Sequence, residues 1–174
     1  MRLEEYDFSF VADFRHIPAK GKHVKLLSSE QERKALAERF GILGVTAFEA
    51  DVVLERADFD KVRMKGDFFA TVEQMCGVTL EAFLQDVKEP FDLVFQEKAS
   101  GKKVPEEYVF DMDDDYEPME NGKIEVGETI IELLSLSLDA FPKRRDAVFS
   151  YRDEDADEEV KNSPFSVLKT LKKE

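Results

Sequence analysis

FEADVVLERADFDKVRMKGDFFATV, residues 48–72, decides how this chain folds. Phe48, Ala50, Val52 and Leu54 alternate with Glu49, Asp51, Val53 and Glu55. After a short acidic turn, Val62, Met64, Phe68, Ala70 and Val72 alternate with Lys61, Arg63, Lys65 and Asp67. A period of two over such lengths is the mark of strands with one buried face. Pairing Glu55 with Lys61, Asp51 with Lys65 and Val52 with Met64 puts opposite charges on one face and apolar pairs on the other, each pair contributing ~0.2–1 kcal/mol. A slip of one residue would turn the apolar row to water. The stretch predicts a hairpin.

Upstream, Phe8, Phe10 and Phe14 suggest a first strand over residues 8–14, broken by Pro18 and Gly21, with a second short strand over residues 23–27. Ser29 and Glu32 have the spacing of a capping box. Ala35, Leu36 and Phe40 continue a short amphipathic helix, for which Gly41 is a natural stop. Downstream, Val87, Phe91, Leu93 and Phe95 give a third strand, with Pro90 placing a bulge or an edge there. Asn121-Gly122 signals a turn. Ile130, Leu133, Leu134 and Leu138 share a helical face, whereas Leu134, Leu136 and Leu138 also alternate; length and the lack of breakers favour helix, ended by Phe141-Pro142.

These elements predict an α+β fold: an antiparallel β-meander or partly closed, barrel-like sheet packed by one or two helices, with a disordered acidic loop and tail. Residues 1–142 form the domain and residues 143–162 a charged flexible linker. Residues 163–174 form a short amphipathic segment, with Pro164 at its first position and Phe165, Leu168 and Leu171 on one face.

The 174 residues include 43% hydrophobic side chains and 15 phenylalanines, enough for a real core. One cysteine excludes an internal disulfide framework and fits a reducing compartment. The acidic N-terminus has no apolar signal region, and no run reaches the ~18–20 apolar residues of a membrane span, so a soluble cytoplasmic protein is expected. The net charge of −14 is local: eight acids between Val104 and Gly122 and six between Asp153 and Glu159 account for all of it. The remainder is balanced, which argues against a broad phosphate-gripping face. The plain reading of the two runs is solvated loop; the sharper one is a basic partner such as a ribosomal protein.

TVEQMCGVTLEAF, residues 71–83, lies at the joint between two strands and is either a structural corner or a presented site. It holds Cys76, with Thr79 rather than a second cysteine three positions on. A single thiol with His16 and His23 far off in sequence makes neither a structural zinc site nor an activated nucleophile. Packing is the plain role for Cys76, and partner contact the alternative. The acidic cluster Asp111, Asp113, Asp114 and Asp115 invites a metal, but an EF-hand loop starting at Asp111 would have Tyr116 and Gly122 where Gly and Glu belong. Loose magnesium binding there is the basis of the rival reading, a magnesium-dependent RNA-processing enzyme. No phosphate-cradling loop or Gly-x-Ser-x-Gly elbow is present. Lys143, Arg144 and Arg145 form a small basic patch that either complements a helix terminus or touches RNA.

Four blocks then occur in order: QMCGVTLEAF (74–83), NGKIEVGE (121–128), ELLSLSLDAFPKR (132–144) and SPFSVLKTLK (163–172). Together they resemble the YceD family of large ribosomal RNA subunit accumulation proteins, in its alphaproteobacterial form. The resemblance implies a cytosolic bacterial factor supporting accumulation of large-subunit (23S) ribosomal RNA, with no enzymatic activity, no cofactor and no catalytic residues to carry over. Many members have Cys-x-x-Cys where this chain has Cys76 and Thr79, so a metal or redox role does not transfer; Glu125 replaces an Asp and keeps its charge. The expected partner is a ribosomal protein or a large-subunit assembly intermediate, with ribosomal RNA reached indirectly. Candidate contacts are Cys76, Thr79, Glu81, Glu125, Glu128, Glu132, Lys143, Arg144 and Arg145.

Overall fold

The alternation at residues 48–72 becomes the two central strands of a sheet whose buried row runs from Val24 and Leu26 to Met119. The computed structural model describes residues 3–97 and 116–149. In order, these form β1 (Leu3–Tyr6), β2 (Ala12–Asp13), a 3-10 turn (Phe14–His16), β3 (Lys22–Leu27), α1 (Glu30–Phe40), β4 (Gly44–Arg56), β5 (Lys61–Met75), β6 (Ala82–Glu97), β7 (Glu117–Met119), β8 (Lys123–Ile124) and α2 (Val126–Ser137). Six strands make one sheet in the order β1-β3-β4-β5-β6-β7; β2 and β8 make a separate pair. The three longest strands, β4, β5 and β6, form the antiparallel meander. Each edge adds a short parallel strand, β1 on β3 and β7 on β6.

The sheet is open rather than barrel-like: its end strands β1 and β7 do not pair. One face carries the inward row, including Val24, Val52, Met64, Phe68 and Val87, which joins Leu36 of α1 and Ile130 and Leu134 of α2 in one core. The other face is charged and meets water, with ion pairs such as Arg63–Asp92 and Lys65–Glu55, while α1 and α2 cover the apolar face that a closed barrel would have to fill with its own side chains.

The β4–β5 hairpin holds, but its register differs from the sequence expectation by two residues. Glu55 faces Arg63, Leu54 faces Met64 and Asp51 faces Asp67. An even shift leaves the buried face unchanged, which is why hydrophobic pattern alone did not distinguish the two. Backbone bonds decide it: the N–H groups of Ala57 and Asp58 both donate to the Lys61 carbonyl, at 3.0 and 3.3 Å. Gly66 then comes so close to the Asp51 carbonyl that a Cβ would lie 1.9 Å from that oxygen. Of the two facing acids, Asp67 has Lys88 beside it at 4.0 Å, and His23 Nε2 lies 3.6 Å from Asp51.

Of the strand expected over residues 8–14 only the two-residue β2, Ala12–Asp13, forms, and it pairs with β8 rather than with the main sheet. The Asp7 carboxylate accepts from the Ser9 N–H and hydroxyl, turning the chain. Phe8 instead enters the core and stacks on Phe48 with centroids 4.0 Å apart. The strand at 23–27 is found as β3, and α1 has the capping box in full: Glu32 N–H to Ser29 Oγ, Ser29 N–H to Glu32 Oε2. Gly41 closes α1 in the left-handed region at φ 65°. Pro90 lies beyond the stretch of β6 paired with β7, so it marks an edge; the β5–β6 register runs through it with no bulge. Asn121 and Gly122 both have positive φ, as a tight hairpin turn requires. The acidic loop through residue 115 and the tail from residue 150, including the amphipathic segment at 163–174, lie outside the described residues.

Candidate interaction surface at the Cys76 corner

The connection from β5 to β6 is short and held by its own backbone. Cys76 N–H donates to the Glu81 carbonyl and Leu80 N–H to the Cys76 carbonyl, each at 2.9 Å. This winding forces Leu80 to φ 56°, a region an L side chain rarely adopts. Leu80 is 74% exposed, so no burial of its side chain offsets the strain.

The corner is stapled to the chain leaving α2. Gly77 N–H donates to the Pro142 carbonyl at 2.8 Å, and Arg144 N–H points at Cys76 Sγ at 3.5 Å. Arg144 Nη1 donates to Glu81 Oε2 at 2.8 Å, while its Nε bonds Asp146. Four residues of the sequence-derived set, Cys76, Thr79, Glu81 and Arg144, thus come together. Arg144 is not a charge complementing the helix end, since its guanidinium is taken by these two carboxylates. Lys143 and Arg145 flank it and are exposed.

Cys76 is fully buried, yet its thiol is pulled down to about 6. The Thr79 hydroxyl is the largest influence, followed by the N–H groups of Arg144 and Thr79, against the opposing effect of burial. Thr79 Oγ1 has no partner in regular hydrogen-bond geometry, so the two N–H donors at 3.5 Å are the firmer support for a thiolate. Among the described residues no three His, Cys, Asp or Glu side chains converge as a metal site. The Asp111–Asp115 cluster lies outside the described residues.

Glu125, Glu128 and Glu132 are on α2 but are not part of the corner. Glu125 and Glu128 sit at the start of the helix, ~18 Å along its axis from the exit that the corner clasps. Glu125 occupies the N-cap position without a side-chain cap bond, and is exposed. Glu128 lies in the first turn, where a negative charge is favoured. Both its oxygens accept from Arg39 of α1, and that hydrogen-bonded guanidinium lowers its pKa. Glu132 is exposed one turn further on. Arg39 was missed from sequence because it is 89 residues from its partner. Gly127 has a visible reason: a Cβ there would lie 1.8 Å from the Phe8 carbonyl oxygen.

Residues 64–172 match the family described as large ribosomal RNA subunit accumulation protein YceD. The chain belongs to the YceD family. The match takes in β5 from Met64, the corner, β6 and α2, and so includes every residue of the candidate surface. No curated protein and no solved structure matches the chain. No helix among the described residues is long and apolar enough to cross a membrane.

Proposed function

We propose that this YceD-family protein supports accumulation of large-subunit ribosomal RNA as a non-enzymatic factor in the cytoplasm, binding a ribosomal protein or an assembly intermediate. The observation that carries this reading is the exposed apolar surface at a rigid corner. Phe141 is 87% exposed beside the Gly77–Pro142 bond, and Leu80 projects from the same corner. The same two segments carry charged groups, the Arg144–Glu81 pair and the exposed Lys143 and Arg145. A fixed apolar centre with a polar rim is the anatomy of a protein-binding patch. The net charge of −14 favours a basic partner and speeds its approach, while ribosomal RNA is reached through that partner.

The test is retrieval of tagged full-length protein from lysate at low and high salt, with and without ribonuclease. Large-subunit proteins should be recovered at low salt, survive ribonuclease treatment and be lost with Phe141→Asp. Recovery of no large-subunit component at low salt sinks the proposal. Loss on ribonuclease treatment would replace it with direct RNA contact through Lys143 and Arg145.

A further inference from the structure

A cleft of about 530 Å³ opens between the end of α1, the end of β5 and the exit of α2. Its walls mix apolar side chains, Phe40, Ile42, Met75, Leu138 and Pro142 among them, with an almost equal share of polar surface. Into this lining is set Gln74, the last buried inward residue of β5, which is only 5% exposed. Its Oε1 has no hydrogen-bond partner in the protein. A buried acceptor left unpaired is destabilising unless a donor arrives. Arg39, the cation at the cleft, is already bound by Glu128. The cleft therefore offers apolar surface, one buried acceptor and the carboxylate of Asp139, and suits an apolar segment carrying N–H donors and positive charge.

We infer that the occupant is the chain's own segment SPFSVLKTLK, residues 163–172. The described chain runs along the cleft through Pro142 and reaches Phe149, and the 14 peptide steps from there to Ser163 can span up to ~46 Å, so reach is no obstacle. Phe165, Leu168 and Leu171 lie on one face at helical spacing. A helix this short is marginal in water and is held only by docking. Its first turn has N–H groups with no partner inside the helix, which are the donors that Gln74 Oε1 lacks. Lys169, Lys172 and Lys173 supply charge opposite to that of Asp139. The family match ends at residue 172 and so unites the segment with two of the cleft's walls.

Hydrogen exchange on the full chain, read by mass spectrometry, tests this. Amides of residues 163–172 should exchange at least about tenfold more slowly than in a free peptide. Leu168→Asp should abolish that protection and speed exchange around Ile42 and Leu138, leaving β4 unchanged. Met75→Asp, at a half-exposed wall position, should release the segment in the same way. Exchange of the wild-type segment at the free-peptide rate would overturn the inference. So would protection that survives Leu168→Asp or Met75→Asp, which would put the segment elsewhere. Protection that rises with protein concentration over a roughly hundredfold range would assign the cleft to a second copy and equally overturn the intrachain occupant.

Discussion

Arg39 and Glu128 form a two-pronged ion pair that ties the last turn of α1 to the first turn of α2. Both side chains are partly exposed, so solvent screens the pair and its contribution is small, although the bidentate geometry favours it over an ordinary surface pair. Glu128→Gln should destabilise the protein slightly in urea unfolding at neutral pH. The pH dependence has a definite sign. Arg39 lowers the folded-state pKa of Glu128, so the stabilisation is present above the ordinary glutamate range and fades as pH falls through the lowered value. Glu128→Gln and wild type should converge in stability toward low pH; an unchanged gap there would contradict the assignment.

The Cys76 thiol makes a second pH prediction, in another window. Its folded-state pKa is lowered from 9.0 to about 6, so ionisation favours the folded form. That contribution is fully present above pH 9 and disappears as pH falls to about 6. Relative to Cys76→Ser, wild type should gain stability as pH is raised from 6 to 9. A difference independent of pH over this range would mean that the thiol stays protonated.

Leu80 separates the corner's backbone from its surface. Its left-handed conformation costs about 1–2 kcal/mol for an L residue, whereas glycine adopts it freely but loses ~0.5–1 kcal/mol in chain entropy. Leu80→Gly should therefore be neutral or stabilising by up to about 1 kcal/mol in thermal unfolding. The same variant should recover less large-subunit protein from lysate, since the exposed side chain is gone. Marked destabilisation would show that Leu80 packs in a way its exposure does not suggest.

Gly127→Ala tests how α2 is seated. A methyl group would lie 1.8 Å from the Phe8 carbonyl oxygen, and both are backbone-fixed positions with little room to relax. Overpacking of this kind costs about 1–3 kcal/mol, despite alanine's better helix propensity. Stabilisation on substitution would mean that the Phe8 turn yields easily.

Features set by neighbours in the chain were legible in the amino-acid order. The Ser29–Glu32 capping box is built within four residues, and the buried face of the central hairpin follows from strand alternation. The same alternation misled at Phe8, because the Asp7 side chain bends the backbone and Phe8 gains its partner from Phe48, forty residues away. The hairpin's register was equally hidden, since a two-residue shift preserves every inward side chain and only the turn's backbone bonds and the approach at Gly66 discriminate. At the candidate surface, local reading found Cys76, Glu81 and Arg144 without their association. Arg144 read as a helix-exit charge and proves to bridge Glu81, 63 residues away. Periodicity and capping are written in nearest-neighbour chemistry, so the long strands, the two helices and their buried faces could be read from residue order, whereas the short strands β1, β7 and β8 could not. Which distant carboxylate a guanidinium meets, and which buried amide oxygen is left without a donor, depends on how the sheet and helices are set against one another in space.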